Sequence, residues 1–332
     1  MEIVLLNKNS KVPKYKQIVT SIEKAITDGL LKKGDKLPSL NTIKDKNSLS
    51  RDTVLTAFNE LKNRGIINSV VGKGYYVYSE DVDVAKKIFL LFDELNSFKE
   101  DLYNSFLENL GDDNQVDIFF HHFNNEVFSK LIHDNLGNYS HYVIMPANLI
   151  GTKDVVQNLP KDKVYILDQV PEELSEYPAI YQNFEIDIYN GLLDGIKELK
   201  NYNKLILLFS DEKQPKGILK GFKKFCIENN IKNEIITSLN DRIPEKGEVY
   251  FVLDDKNLIR IIKKIKQENL VLAKEIGLIS FNDTILKEVV ADGITTISTN
   301  FNLMGKKLAH MILNNEDLRM ANISNFIKRK SL

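Results

Sequence analysis

After Pro13, apolar residues recur at Tyr15, Ile18, Val19, Ile22, Ala25 and Ile26, which is one face of a helix. Gly29 lies near its end, and Gly34-Asp35-Lys36-Leu37-Pro38-Ser39 breaks the chain. Ser39 is placed to cap a short second helix through Ile43 to Lys46, and Asn47-Ser48-Leu49 turns into a third. The third helix starts at Ser50, buries Val54, Phe58 and Leu61 by their spacing, and runs to about Asn63, where Gly65 stops it. Ile66–Val71 and Tyr75–Tyr78 are β-prone stretches flanking Gly72-Lys73-Gly74, the pattern of a tight hairpin.

Beyond Ser79 the pattern changes to short apolar runs alternating with amphipathic stretches. The expected strands are Ile88–Phe92, Val116–Phe120, Tyr142–Met145, Val164–Leu167, Leu205–Phe209, Glu234–Ile236, Val249–Leu253 and Gly277–Ser280. Helices are expected between them, including Phe98–Leu110, Tyr189–Leu199, Lys216–Asn229, Ile259–Glu268 and Met304–Leu313. Such alternation predicts an α/β fold with doubly wound parallel sheets, and the strands divide into two sets around residues 182–190. No Gly-rich phosphate loop follows any of these strands. The expected organisation is a head at 1–79, a short acidic linker at 80–86 and a body at 87–332. The linker, from Ser79 to Asp83 above all, is the expected point of proteolytic attack.

Charge sharpens this division. Residues 1–80 hold 14 Lys and Arg against 8 Asp and Glu, whereas residues 81–332 hold 31 against 38. A basic small domain on an acidic larger one suits a head that meets nucleic acid and a body that avoids it. The lone cysteine, Cys226, sits on an apolar helix face and reads as a buried, inert thiol, so neither a disulfide framework nor a cysteine zinc site is expected. There is no run of about 20 apolar residues and no signal-peptide pattern at the start, so a soluble, cytoplasmic protein without membrane contact is expected.

A helix followed at once by a basic Gly-Lys-Gly hairpin matches the needs of a winged helix-turn-helix, with the helix in the major groove and the wing near the backbone. Residues 12–78 resemble the GntR family of bacterial transcription regulators. The resemblance rests on Pro13-x-Tyr15-x-x-Ile18, Ile26-x-x-Gly29-x-Leu31-x-x-Gly34-Asp35-x-Leu37-Pro38-Ser39, Ser50-Arg51-Asp52-Thr53-Val54, Ala57-x-x-x-Leu61, Gly65-Ile66-Ile67 and Gly72-Lys73-Gly74-x-Tyr76-Val77. It implies that Arg51 reaches bases, that Asp52 and Thr53 tune or anchor that contact, that Ser39 touches phosphate, that Gly72, Lys73 and Gly74 form the wing, and that Lys44 and Ser50 belong to the DNA-binding set. An arginine there suits guanine, whose two acceptors match its paired donors. Asn41 and Leu55 stand where the family often has arginine, which shifts affinity onto Lys44, Lys46 and Lys73. By helical position Thr53, Val54, Ala57 and Leu61 read as core rather than contact.

In open α/β sheets ligands sit beyond the carboxyl ends of strands. The residues there are polar: Asp93, Phe98, His121, Asp168, Asn183, Lys216, Asp254, Asn282 and Asp283 form the candidate ligand set. Carboxylates and amides suit a polyhydroxylated ligand, because each hydroxyl both donates and accepts, and Phe98 offers a face for a sugar ring. Residues 86–320 resemble the periplasmic-binding-protein-like sensor domain of LacI-type regulators. The matching segments are Phe92-Asp93-Glu94-Leu95-Asn96-Ser97-Phe98, Lys216-x-x-x-x-Gly221-Phe222, and Gly277-Leu278-Ile279-Ser280-Phe281-Asn282-Asp283 with Ile294-Thr295-Thr296-Ile297 and Met304-Gly305-x-x-x-Ala309. The resemblance implies two lobes, one at about 87–182 and 297–324 and the other at about 183–296 and 325–332. Asn282 stands where that family commonly has a sugar-binding Asp, Lys216 where it has Arg, and Asp254 where it often has Asn, whereas Asp168 matches. The order of modules resembles the arabinose-repressor type of bacilli, without the hinge helix of LacI-type chains, for which the linker is too short and too acidic.

These features lead to the expectation of a homodimeric transcription regulator, a repressor of a sugar-utilisation operon. It would bind double-stranded DNA at a palindromic operator and be modulated by a monosaccharide between its lobes. A body that only dimerises, or that takes a non-sugar ligand, is the alternative. An enzyme built on His121-His122 and Asp168 is disfavoured. Adjacent residues of an extended segment point to opposite sides, and no serine nucleophile elbow is present. No cofactor or metal is expected.

Overall fold

The computed structural model describes every residue except 1, 2, 8, 9, 11, 83 and 211–213. Asp83, in the expected linker, and Asp211, which follows the expected strand Leu205–Phe209, therefore lie outside the described residues. The chain forms two compact units: Met1–Phe92, Leu110–Ile144 and Gly151–Tyr165 make the first, and Asp93–Asn109, Met145–Ile150 and Ile166–Leu332 the second.

The first unit opens with α1 (Lys14–Thr27), α2 (Leu40–Asn47) and α3 (Arg51–Asn63), followed by the hairpin β1 (Ile67–Val70) and β2 (Gly74–Val77). Ser39 and Ser50 each accept the backbone N–H three residues on, at 3.1 Å, which satisfies an otherwise orphan donor and sets the start of α2 and α3. Ile18 and Ile22 of α1 meet Val54, Phe58 and Leu61 of α3 in one core with Ile66 and Val77. The Tyr75 and Phe58 rings meet in a T-shaped pair, 4.8 Å between centroids, tying the hairpin to the helices. Three helices and a hairpin in this order form a winged helix-turn-helix.

The same unit continues with β3 (Lys86–Phe92). The segment before it is held at almost every described position. Ser79 N–H donates to Ile66 O, and the Lys33 N–H donates to the Glu80 carboxylate. Arg64, at the end of α3, donates to Val82 O and Val84 O and pairs with Glu23 of α1. Lys87, on β3, is buried, with its ammonium 5.3 Å from the Tyr78 ring, 5.0 Å from the Tyr139 ring and 3.4 Å from the Asp117 carboxylate. The linker is thus a fastened strap.

From β3 the chain runs through α4 (Ser97–Leu110), β4 (Asn114–Phe120), α5 (Asn125–Asp134), β5 (His141–Ile144), α6 (Thr152–Val156), β6 (Val164–Asp168) and β7 (Ala179–Tyr181). It continues through α7 (Phe184–Asp194), α8 (Ile196–Leu199), β8 (Lys204–Leu208), α9 (Lys216–Glu228), β9 (Asn233–Ile236), β10 (Glu248–Val252) and α10 (Asp255–Gln267). It closes with β11 (Gly277–Phe281), α11 (Ile285–Val289), β12 (Thr295–Thr299), α12 (Phe301–Asn314), β13 (Arg319–Ala321) and β14 (Ser324–Ile327). In the first unit β3 lies between β5 and β4, all parallel. In the second, β7 lies parallel between β6 and β13.

The second unit also holds a six-stranded sheet in the order β14-β12-β11-β10-β8-β9, parallel except for β14. Its central strands β8, β10 and β11 are buried on both faces, which is why they read as apolar runs. Leu205 and Leu207 face α7 and α9, whereas Ile206 and Leu208 face α10, the period-two alternation of a strand. The backbone of α7 approaches α9 so closely that a Cβ on Gly221 would lie 2.3 Å from Glu185 O. That contact accounts physically for glycine in the Lys216-to-Phe222 segment.

The strand and helix expectations agree with the structure to within a few residues, with these exceptions. The helix expected at Tyr189–Leu199 begins at Phe184, capped by Asn183, and is broken at Gly195. Helices α5, α6 and α11 and strands β7, β13 and β14 are not among the named expectations, and the Ile294–Ile297 segment forms a full sheet strand, β12.

Candidate nucleic-acid interface and ligand cavity

Arg51 is the first residue of α3 and is exposed, as is Asp52 beside it. The cap that starts the helix involves two of the expected contact residues, since the Ser50 hydroxyl lies 2.8 Å from that of Thr53. Ser39 has the same relation to Thr42 at the start of α2. These serines therefore already perform a local task, and any phosphate contact would add to it. Lys44 lies on α2, 3.1 Å from the Asp45 carboxylate on a solvated face. Val54, Ala57 and Leu61 are fully buried, so the exposed surface of α3 is set by Arg51, Asp52 and their exposed neighbours.

The wing is defined by register. Ile67 pairs with Val77 and Val70 with Gly74, leaving Val71, Gly72 and Lys73 at the tip. Gly72 and Gly74 have φ of 72° and 111°, a backbone that side-chain-bearing residues rarely adopt, and this sets a compact tip around Lys73. Val71 is 99% exposed, so the tip projects into solvent. Gly34–Leu37 runs against β2, with Val77 N–H donating to Asp35 O and Leu37 N–H to Tyr75 O, which braces the hairpin from its other edge.

The second unit contains a cavity of about 710 Å³ between the segments 147–150, 169–171, 181–185 and 215–220, with Arg319 at its wall. Two of the expected ligand residues line it: Asn183, the cap of α7, and Lys216, the first residue of α9. Amides Asn148, Gln169 and Gln182 also line it. Asp168 is tied to that wall indirectly, because the Gln182 amide donates to its carboxylate at 2.5 Å. Burial pushes the Asp168 carboxyl up, with Lys99 and the Gln182 bond opposing and Asp93 reinforcing the shift. Asp93 and Lys99 form a buried ion pair, so Asp93, Lys99, Asp168 and Gln182 make one buried polar network.

The remaining candidates lie elsewhere. Phe98 stacks on Phe301, with centroids 4.8 Å apart. His121 belongs to the first unit and is fully buried edge-on to Phe128 at 5.4 Å. Asp254 caps α10, its oxygens accepting from the backbone and side chain of Asn257 at 2.8 and 2.7 Å. Asp283 forms a two-pronged ion pair with Arg329 at 2.6 and 2.7 Å. Although burial favours its neutral form, that pair and the Thr296 hydroxyl hold its carboxyl below the ordinary value. Asn282 is buried with φ 58°, and its side-chain oxygen has no hydrogen-bond partner among the described residues. None of Asp254, Asn282 and Asp283 lines the large cavity; Asp283 lines a separate one of about 290 Å³ with Glu288 and Asn300.

Sequence reading missed Glu185, Lys220 and Arg319. Lys220 follows Lys216 by one helical turn, so its place on the same face was legible; Arg319 depends on β13, a three-residue strand with no pattern of its own. Among the described residues no group of three His, Cys, Asp or Glu side chains is placed to hold a metal, and no helix is long and apolar enough to cross a membrane.

Residues 14–77 match the bacterial regulatory proteins of the gntR family, so the head is a GntR-type helix-turn-helix. Over 70 residues, 21% of this chain, it is 41% identical to the HTH-type transcriptional regulator YdfD of Bacillus subtilis, covering 14% of that protein. Over 90 residues, 27% of this chain, it is 38% identical to the mannosyl-D-glycerate transport/metabolism system repressor MngR of Escherichia coli, covering 35% of it. The chain thus spans well under half the length of either relative. Among solved structures, a LacI family transcriptional regulator from Silicibacter pomeroyi aligns with 74% of this chain and 98% of its own, at TM-score 0.62 and 14% identity. A LacI family regulator from Enterococcus faecium with bound ribose aligns over 74% and 98%, at TM-score 0.60 and 16% identity. The remainder of the chain therefore has the LacI-like, periplasmic-binding-protein-like fold.

Proposed function

We propose that a GntR-type head on a LacI-like body makes this protein a cytoplasmic, homodimeric, DNA-binding transcription regulator. It would be a repressor of a sugar-utilisation operon, responsive to a small polyhydroxylated ligand of monosaccharide class. The observation that carries this reading is the joining, in one chain, of a helix-turn-helix with exposed Arg51 to a body holding an amide-lined cavity of about 710 Å³. The head is residues 1–79 and the body 87–332.

In this reading Arg51 donates a pair of hydrogen bonds to guanine in the major groove, with Asp52 and Thr53 beside it. Ser39, Lys44 and Ser50 meet phosphates, and Lys73 between Gly72 and Gly74 meets the backbone at the wing. Two heads on a dimer match the half-sites of a palindrome. Asn148, Gln169, Gln182 and Asn183 supply donors and acceptors for ligand hydroxyls, and Asp168 fixes Gln182 by accepting from it. A ligand acts by binding one operator-affinity state more tightly than the other; about 1–3 kcal/mol of such coupling changes DNA affinity by 5- to 150-fold. No catalytic step is assigned to the body. Gel-shift titration of the full chain on its own upstream DNA, with and without a panel of pentoses and hexoses, tests the reading. Operator binding weakened by at least one sugar supports it. Binding insensitive to every member, together with a dimer in solution, makes the body a dimerisation module.

A further inference from the structure

Among the described residues, three cations, Lys216, Lys220 and Arg319, line the large cavity of the second unit with one carboxylate, Glu185. Lys216 and Lys220 stand one turn apart on α9 and project from one face of it. Arg319 reaches the cavity from β13, where its Nη1 donates to Ser175 O at 2.6 Å and its guanidinium lies 5.9 Å from the Tyr181 ring. Those two contacts hold the fork in place. Among the described residues none of the three cations is ion-paired, so their field in this concave site is offset only in part, by Glu185. The first turns of α7 and α9 both border the same space, and α9 has no side-chain cap, so its leading N–H groups add to the positive potential.

We propose that the ligand of this cavity is a polyhydroxylated molecule carrying a phosphate monoester, bound by Lys216, Lys220 and Arg319. This rests on the reading of the cavity as the effector site. A phosphate monoester carries about −1.5 to −2 charge at pH 7, which matches the excess of cations in the lining; a sugar acid supplies half of it and a neutral sugar none. Arginine offers planar paired donors and each lysine a point charge, a set that suits phosphate oxygens. The amides of Asn148, Gln169, Gln182 and Asn183 remain for the hydroxyls.

The test uses the full chain in calorimetric and thermal-shift titrations. Glucose, fructose, ribose and arabinose are each compared with their terminal phosphate esters, beside gluconate and inorganic phosphate. At least one ester should bind ten-fold or more tightly than its neutral parent, with affinity falling as salt rises. Lys216→Gln with Lys220→Gln should erase most of that advantage while leaving the thermal midpoint of the unliganded protein in place. An inorganic phosphate response removed by the same pair of substitutions also supports the proposal. A neutral sugar binding as tightly as its ester, or an ester advantage unchanged in the double variant, overturns the proposal and leaves the effector-site reading standing. Gluconate binding as tightly as the ester moves the assignment from phosphate to carboxylate and overturns it as stated. No binding by any member overturns both.

Discussion

Replacing Arg64 with Gln should unfasten the strap that joins the head to β3. The guanidinium donates to Val84 O at 2.8 Å, to Val82 O at 2.7 Å and to Glu23 at 2.5 Å, and the side chain is 18% exposed. A hydrogen bond with a charged donor contributes about 1.5–3 kcal/mol. Partial solvent screening reduces that figure, and Gln can restore one of the three. A net loss of about 2–4 kcal/mol in the local opening of the strap follows. When opening and closing are fast, cleavage by a protease tracks the open population, so this loss should speed cutting by about 30- to 1000-fold. Glu80 lies within the strap, and its carboxylate is engaged by the Lys33 N–H at 3.0 Å. A glutamyl endopeptidase should therefore cut the native chain slowly after Glu80 and the Arg64→Gln variant rapidly. Intact-mass spectrometry over time would show a fragment of residues 1–80, with circular dichroism confirming that both proteins stay folded. Equal rates for the two folded proteins, or native cutting as fast as that of an unfolded peptide, would refute the fastened strap.

Further outcomes follow from single groups. Arg51→Ala should remove operator sequence preference, a loss of about 1–3 kcal/mol read by gel shift, while Lys73→Ala should weaken all DNA alike and flatten the salt dependence. Burial pushes the Asp187 carboxyl up to about 6, above its unfolded value, so the stability it contributes is full below about pH 4 and lost as pH rises through 6. Asp187→Asn should accordingly raise the thermal midpoint at pH 7 by the equivalent of about 1 kcal/mol after allowance for screening, with no gain at pH 4; a uniform shift across pH would contradict it. Cys226 is buried and its thiol is pushed up to about 12 by that burial, so Ellman's reagent at pH 8 should leave it unmodified until the protein is denatured.

The head was legible because each local signal agrees with the packing. Ser39 and Ser50 cap where capping residues are expected, and Val54, Phe58 and Leu61 are buried where helical spacing places them. The parallel strands were legible because burial on both faces leaves runs such as Phe89–Phe92 without polar interruption. β12 is the instructive exception. Its residues Thr295, Thr296, Ser298 and Thr299 are buried, yet hydropathy marks them as polar. Their hydrogen-bonding groups are satisfied by distant partners, as when Thr295 N–H donates to Ser331 Oγ and the Thr295 hydroxyl to Arg329 O. A buried strand of hydroxyl residues is stable only with those partners, and nothing local announces them. Helix α5 is different: the cap Asn124, with Phe128 and Ile132 one turn apart, was a usable signal.

The ligand residues were harder for a chemical reason. An Asp or Asn at the end of a strand stands where the next helix begins, and the oxygen that suits a sugar hydroxyl also suits the orphan N–H groups of that helix. Asp254 spends both oxygens on Asn257, whereas Asn183 caps α7 and still borders the cavity. The two residues are equivalent in sequence terms and differ only in what the fold places opposite them. Arg319 shows the converse. It lies 135 positions beyond its cavity neighbour Phe184 and lacks any motif, and the parallel pairing of β13 with β7 alone brings it to the wall. Strand-end chemistry therefore locates the edge of the sheet where a ligand can bind. Long-range strand pairing decides which side chains meet there, and in this chain it brings Arg319 to two lysines that helical spacing alone had grouped.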